Sequence, residues 1–181
     1  MAPTVILVGA PGAGKTTVGR LLAERLGCPF ADTDHLVEEA AGTTVPDIFV
    51  VEGEAAFRAR ETAALTAALR DHGGVLALGG GAVLAERNRA LLREAGAPVV
   101  LLSVPLSDAV TRVGLARDRP VLALNPRAML RRLLAERAPL YAEVATHEVD
   151  TGTRGPEDVV AAVLALLEDP SVTTPDRGAA P

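Results

Sequence analysis

Aromatic residues, cysteine and lysine are scarce in this sequence, and each shortage restricts the structure, the compartment or the kind of site that we can expect. Aromatic residues make up only 2% of the 181 positions, so a core has to be built from alanine, valine and leucine. Such a core suits helices packed on a buried sheet. The single cysteine, Cys28, excludes an internal disulfide framework and predicts a reducing compartment. The first apolar run follows no basic segment and breaks at Gly9. We therefore expect neither a signal peptide nor a membrane span, and a cytoplasmic location.

The balance of charge is acidic, with 18 basic residues against 23 acidic ones and a formal net charge of −5. Such a chain is a poor general binder of nucleic acid or of anionic membrane, so we expect neither as a partner. The only lysine among the 18 basic residues, Lys15, lies inside a glycine-rich stretch. A biased codon supply is one explanation for the excess of arginine. A site that needs a compact ammonium, which a planar guanidinium does not replace well, is the other.

Hydrophobic patterning predicts strands that alternate with helices. The predicted strands are residues 4–8, 29–32, 75–78, 99–103 and 148–150. The predicted helices are residues 16–26, 34–41, 45–51, 54–70, 88–95, 108–114, 126–144 with a break near Pro139, and 156–167. This alternation indicates an α/β fold with a parallel sheet covered on both faces. Ligands of such sheets bind at the carboxyl ends of the strands. We expect residues 169–181 to be a disordered tail.

The stretch GAPGAGKT, Gly9 to Thr16, fits the phosphate-loop pattern G-x-x-x-x-G-K-[ST]. It follows a predicted strand and opens a predicted helix, which is the context that the motif requires. Backbone N–H groups of such a loop wrap phosphate oxygens, while Lys15 reaches the β- and γ-phosphates and the Thr16 hydroxyl faces Mg²⁺. A guanine-nucleotide switch is disfavoured because no N-K-x-D motif is present, and DHGG at 71–74 is interpreted as a chance match. The sequence therefore predicts nucleotide binding.

Two aspartates, Asp32 and Asp34, stand where the second predicted strand ends and the next predicted helix begins. Residues two apart in an extended segment point the same way, so both are expected to face the crevice. Asp32 is suited to hold Mg²⁺, directly or through its water shell. Asp34 is suited to accept a hydrogen bond from an acceptor hydroxyl, and either to orient that hydroxyl or to take its proton. The alternative is that Asp34 only caps the next helix.

An ordered set of motifs resembles the shikimate kinase family. The set comprises GAPGAGKTT at 9–17, DTD at 32–34, F-x-x-x-G-E-x-x-F-R at 49–58, GGGAV at 79–83, RP at 119–120 and R-x-P-L-Y at 137–141. The resemblance implies transfer of the γ-phosphoryl of ATP, with Mg²⁺, to the 3-hydroxyl of shikimate in aromatic amino-acid (chorismate) biosynthesis. It also implies a monomer with the three-layer P-loop kinase fold, in which helices flank a central five-stranded parallel sheet. The resemblance covers residues 1–168, with substrate-binding helices at about 34–60 and a lid at about 115–126.

The same resemblance assigns roles to individual residues. Asp34, Lys15 and Arg119 are implied to be catalytic, and Thr16 and Asp32 to hold the metal. The residues implied to bind shikimate are Asp34, Arg58, Arg137, Gly79, Gly80, Gly81, Phe49 and Phe57. The residues implied to bind ATP are Gly12, Ala13, Gly14, Lys15, Thr16, Thr17, Arg112, Arg119, Arg154 and Pro156. Because Arg117 precedes Arg119 by two positions, either could be the lid arginine.

Ordinary structural roles compete with these assignments. Arg58 and Arg137 could be surface charges on helices, GGG a plain loop, and Phe49 and Phe57 core. Another small-molecule kinase of the same fold, for gluconate or a nucleoside monophosphate, is one functional alternative. A nucleotide-binding switch without transfer chemistry is another.

Overall fold

A five-stranded parallel sheet forms the centre of the computed structural model, which describes residues 1–115 and 126–168. The strands are β1 (Val5–Val8), β2 (Phe30–Asp32), β3 (Val75–Ala77), β4 (Val99–Ser103) and β5 (His147–Asp150), in the order β2-β3-β1-β4-β5. The helices are α1 (Lys15–Leu26), α2 (Thr33–Ala41), α3 (Val45–Val51), α4 (Glu54–Asp71), α5 (Glu86–Glu94), α6 (Leu106–Leu115), α7 (Pro126–Val144) and α8 (Pro156–Glu168). A 3-10 helix, Ala82–Leu84, precedes α5.

Both faces of the sheet are covered, which confirms the predicted layers. Successive residues of a strand point to opposite faces, and the four residues of β1 are all buried. Val5 and Leu7 pack with α1 and α8 on one face. Ile6 and Val8 pack with α4, α5 and α7 on the other. Small aliphatic side chains therefore fill a core that has almost no aromatic residues to use.

The carboxyl ends of three neighbouring strands meet at one edge of the sheet. Asp32 at the end of β2 is in register with Ala77 at the end of β3, and Ala77 is in register with Leu7 of β1. The segments that leave these strands, beginning at Gly9, Thr33 and Leu78, consequently start side by side. These segments carry the phosphate-loop, DTD and GGG motifs of the sequence.

Two local predictions are wrong. Helix α2 begins at Thr33, and its N-cap is Asp32, whose carboxylate accepts a hydrogen bond from the backbone N–H of Asp34 at 3.0 Å. Asp34 is therefore neither the cap nor part of an extended segment. Helix α7 runs without a break through Pro139, because packing along its length outweighs the backbone hydrogen bond that a proline removes.

Within residues 1–115 and 126–168, no helix has the length and apolar character needed to cross a membrane.

Candidate active site

The phosphate loop connects β1 to α1 in a wide turn. Gly14, the N-cap of α1, has φ +90° and ψ +14°, a left-handed conformation that glycine adopts without strain. Lys15 begins the helix, and its ammonium donates hydrogen bonds to the carbonyls of Gly9 at 2.7 Å and Ala10 at 3.0 Å. The Lys15 ammonium is thus held at the centre of the loop, beside the N-terminus of α1, where an anion is favoured.

Thr16 and Asp32, the two predicted metal-holding residues, lie in contact at the mouth of this loop. The Thr16 hydroxyl donates to Asp32 Oδ2 at 2.9 Å, while Asp32 Oδ1 caps α2. A hydroxyl and a carboxylate are oxygen donors of the kind that Mg²⁺ prefers, together with water and phosphate oxygens. The pair therefore fits a magnesium ion bound along with a nucleotide.

Gly79, Gly80 and Gly81, here called the glycine loop, follow β3 and lie beside the phosphate loop. A β-carbon on Gly80 would stand 3.0 Å from Pro11 Cδ. A β-carbon on Gly79 would overlap Asp34 Oδ1 and stand 3.0 Å from both Asp34 Cγ and Glu61 Oε1, so any side chain there would displace the Asp34 carboxylate. The Asp34 carboxylate therefore packs directly against the backbone of Gly79. The next residue, Gly80, adjoins Pro11 of the phosphate loop.

Arg58 reaches the same loop from α4. A β-carbon on Gly81 would stand 2.6 Å from both Nη atoms of Arg58. The guanidinium lies 5.1 Å from the centre of the Phe57 ring and donates to Glu61 Oε2 at 2.7 Å and to exposed Glu54 at 3.4 Å. Only 22% of the Arg58 side chain is exposed, so it is not the solvated helix-face arginine of the alternative interpretation.

Glu61 is a buried carboxylate in the middle of this cluster, with 1% of its side chain exposed. Burial raises the pKa of Glu61, the neighbouring Arg58 guanidinium opposes that rise, and the Asp34 charge adds to it. Among the residues that the structure describes, Glu61 Oε1 and Arg58 Nε have no hydrogen-bond partner. The cluster thus contains one buried acceptor and one buried donor that no described residue satisfies.

Arg137 completes the cluster from α7. Its Nη1 donates to the Gly80 carbonyl at 2.8 Å, and the Tyr141 hydroxyl donates to the same oxygen at 2.5 Å. Burial raises the pKa of Tyr141, so its hydroxyl stays protonated and remains a donor at neutral pH. Arg58, Arg137 and Asp34, which are far apart in the chain, are therefore brought together around the glycine loop.

Phe49 and Phe57 lie beside this cluster rather than inside the main core. Their ring centres are 4.6 Å apart with planes tilted by 35°, and Phe57 packs with Val37 and Ile48 where α2, α3 and α4 meet. Phe57 is almost fully buried and Phe49 half-buried. The rings support the helices that carry Asp34 and Arg58, and their contact with a ligand stays a prediction.

Arg112 ties the phosphate loop to the segment after β5. Its guanidinium donates to the carbonyls of Thr151 at 2.6 Å, Gly152 at 3.1 Å and Gly12 at 3.5 Å, and to the Thr151 hydroxyl at 3.1 Å. Arg154 and Pro156 follow in the same segment and are exposed. These three predicted ATP-binding residues therefore lie in or beside one segment that adjoins the phosphate loop. Arg117 and Arg119 lie outside the described residues.

Sequence reasoning missed Glu61, and named Thr33 and Tyr141 only as parts of motifs. Glu61 stands three residues after Arg58 on α4, a spacing that usually joins surface charges. That spacing was the only signal in the sequence for the pair. The burial of Glu61 depends on contacts between helices and strands that are distant in the chain, and the local sequence pattern does not show such contacts.

A phosphate-binding loop after the central strand of a parallel sheet, adjoining a cluster of one carboxylate and two arginines, is the arrangement expected of a P-loop kinase that acts on a small acceptor. The family model described as shikimate kinase matches residues 11–168. A shikimate kinase of Salinispora arenicola is 58% identical over 167 residues, covering 92% of this chain and 99% of that one. A shikimate kinase of Frankia casuarinae is 60% identical over 163 residues, covering 90% of this chain and 72% of that one.

A solved structure is also similar in three dimensions. The shikimate kinase of Acinetobacter baumannii in complex with shikimate superposes with a TM-score of 0.86 at 42% identity, covering 92% of this chain and 93% of that one. The chain belongs to the shikimate kinase family.

Proposed function

We propose that this protein transfers the γ-phosphoryl group of ATP to the 3-hydroxyl of shikimate, giving shikimate 3-phosphate and ADP in aromatic amino-acid biosynthesis. Family membership supports the reaction, and the solved relative in complex with shikimate supports the acceptor. The observation that carries the proposal is the convergence of Asp34, Arg58 and Arg137 on the glycine loop, next to the phosphate loop.

The pocket suits an acidic polyol. Arg58 and Arg137 present planar guanidinium groups that pair with a carboxylate, and Arg58 is held in place by Glu61. The Asp34 carboxylate accepts hydrogen bonds from ring hydroxyls. A nucleotide switch has no need of such a carboxylate clamp, so this arrangement favours transfer chemistry over that alternative.

Transfer then needs positioning and charge compensation more than covalent chemistry. A bond forms between the 3-oxygen of shikimate and the γ-phosphorus, the bond to the β,γ-bridging oxygen breaks, and ADP leaves. Asp34 orients the hydroxyl and receives its proton. Lys15 and the N–H groups of residues 12–17 hold the phosphates, and Arg112, Arg154 and Pro156 lie on the nucleotide side. Arg119, in the predicted lid, stabilises charge on the phosphoryl group and helps to exclude water.

Mg²⁺ is part of the proposal because its predicted oxygen ligands lie together. The Thr16 hydroxyl oxygen and Asp32 Oδ2 are 2.9 Å apart beside the phosphate loop, and these two residues would hold the ion. When bound, it supplies positive charge to the β- and γ-phosphates.

The proposed setting is a monomer in the cytoplasm, as predicted from the sequence. Its partners are ATP and shikimate, without nucleic acid or membrane, in keeping with the net charge of −5.

A coupled ADP-release assay tests the function. Wild-type protein is given ATP and Mg²⁺ with shikimate, gluconate, AMP, CMP or no acceptor. We expect rapid ADP release with shikimate and only background release in the other four reactions. Equal rates with gluconate or a nucleoside monophosphate would assign a different acceptor, and equal rates without acceptor would indicate hydrolysis instead of transfer.

A further inference from the structure

Thr33 stands between the two aspartates of the DTD motif and has its own buried contact. It is the first residue of α2 and has no exposed surface. Its hydroxyl oxygen accepts a hydrogen bond from the backbone N–H of Gly79 at 2.8 Å. This bond joins the first turn of α2 to the first residue of the glycine loop, which lie 46 positions apart in the chain.

The bond lies where it can set the geometry of the acceptor pocket. Asp34 follows Thr33 directly and packs against Gly79, as does Glu61 from α4. One residue further on, the Gly80 carbonyl is held by Arg137 and Tyr141. The backbone N–H of Gly79 is therefore bonded to α2, and the carbonyl of Gly80 is bonded to α7. Thr33 contributes the first of these two attachments.

We propose that Thr33 is a positioning residue for phosphoryl transfer, acting through its hydroxyl on Gly79 and thereby on Asp34. This inference rests on the proposed function. Serine at position 33 keeps the accepting oxygen. Valine has the same shape without that oxygen, and it leaves the buried N–H of Gly79 without its partner. Asp34 and the loop beneath it are then free to shift relative to each other, and a shift of this kind near reacting atoms slows transfer strongly.

A purely structural role for Thr33 predicts a different result, and Thr146 provides the matched control. The Thr146 hydroxyl also accepts a backbone N–H, that of Val99 at 2.9 Å. Val99 begins β4, so this bond lies at the amino end of the sheet, away from the pocket. Thr146→Val removes an N–H···Oγ1 contact of the same kind at an exposed position where no substrate group depends on it, together with the hydrogen bond that the Thr146 hydroxyl donates to the Val99 carbonyl at 3.1 Å.

The experiment compares Thr33→Val, Thr33→Ser and Thr146→Val by kcat, by KM for each substrate and by calorimetric Kd for ATP. Circular dichroism and thermal unfolding check the fold. We expect Thr33→Val to lower kcat by about tenfold or more and to raise the KM for shikimate, with the Kd for ATP within about twofold of wild type. Thr33→Ser should stay within about twofold of wild type in kcat. Thr146→Val should lower only the thermal midpoint.

The inference is overturned if Thr33→Val keeps wild-type kcat and KM for shikimate, if serine loses as much as valine, or if Thr146→Val loses equal activity. Should Thr33→Val fail to fold, Thr33→Cys replaces it, because sulfur is a weak acceptor and activity must then fall below that of the serine variant.

Amide hydrogen exchange at Gly79 tests the bond without activity. It should be faster in Thr33→Val than in wild type, and unchanged exchange would overturn the inference. A wild-type chain without shikimate-dependent ADP release would refute the proposed function separately, and the exchange measurement would still decide whether Thr33 holds the loop.

Discussion

At the scale of residues, charged side chains can approach the glycine loop closely because its glycines carry no side chain. Gly79 leaves room for Asp34 and Glu61, and Gly81 leaves room for the Arg58 guanidinium. The backbone of the glycine loop therefore forms the surface on which charged groups from α2, α4 and α7 meet. Each group can then be tested by a substitution that changes its chemistry while keeping its size.

Asp34→Asn should abolish most transfer while ATP binding persists. The amide keeps the shape of the carboxylate but is a poor proton acceptor, so kcat should fall by about a hundredfold or more. Coupled ADP release measures kcat, and calorimetry measures the Kd for ATP. Asp71→Asn, at the exposed end of α4, is the matched control and should retain wild-type activity. Full activity in Asp34→Asn would remove Asp34 from the mechanism.

Glu61→Gln should change how the stability of the protein depends on pH. Because burial raises the pKa of Glu61 above its ordinary 4.5, the folded protein retains a proton that the unfolded chain has already released. Wild-type stability therefore loses this contribution as pH rises from 4.5 through the folded-state pKa, whereas glutamine has no proton to lose. Urea unfolding across this range should show the variant gaining stability relative to wild type as pH rises. A difference that is constant with pH would contradict the prediction.

The same substitution should weaken acceptor binding. Arg58 loses its buried charge partner, so the KM for shikimate should rise by about tenfold. Glu54→Gln removes the exposed partner of Arg58 and is the control. It should change stability by no more than about 1 kcal/mol, because an exposed ion pair contributes little.

At the scale of elements, α6 and α7 attach the two sides of the site to the sheet edge. Helix α7 brings Arg137 and Tyr141 to the glycine loop, and Arg93 and Glu143 join α5 to α7 through an ion pair. Helix α6 contributes Arg112, which binds the phosphate loop and the segment after β5. The acceptor side and the nucleotide side are thus held by different helices.

Arg112→Met should damage nucleotide binding selectively. The variant keeps the aliphatic stem but loses the hydrogen bonds to residues 12, 151 and 152, so the KM for ATP should rise by about tenfold. The KM for shikimate should stay within about twofold of wild type. Arg132→Met removes an exposed arginine of α7 and should change neither value. A rise in the KM for shikimate alone would mean that α6 serves the acceptor side instead.

At the scale of the whole molecule, the described part of the chain is organised around one sheet with a buried cluster on each face. Packing against these clusters extends to Leu167, and the family match ends at residue 168. Residues 169–181 contribute nothing to this family match. Removing them is therefore a direct test of whether residues 1–168 are a complete catalytic domain.

A chain ending at Glu168 should keep the stability and activity of the full sequence. We expect its thermal midpoint to stay within about 2 °C, since a loss of about 1 kcal/mol in a domain of this size moves the midpoint by about 2–4 °C. Its kcat should match wild type within about twofold. Scanning fluorimetry and the coupled assay measure both. A midpoint lower by about 5 °C or more would show that residues 169–181 stabilise the domain.

The phosphate loop was the most predictable part of the site, and Asp34 shows where sequence reasoning failed. Glycines at fixed positions, a lysine and a threonine predict a strand, a turn and a helix, and all three are present. Asp34 was placed near the crevice on the premise of an extended segment. It is in fact helical and contacts Gly79 from the first turn of α2. The premise failed because the Asp32 carboxylate caps the helix and starts it one residue earlier than expected.

The sequence by itself determined the order of helices and strands and the chemistry of the phosphate loop, because both depend on contacts between residues close in the chain. Tertiary structure decided the strand order, the burial of Glu61 beside Arg58, and the contact of Arg137, which the R-x-P-L-Y motif had already singled out, with the glycine loop. Arg132 is exposed, while Arg137 points at Gly80, although the two share one helix. Packing between segments that are distant in the chain determines which face of a helix is covered. The local hydrophobic pattern does not show which segments pack together.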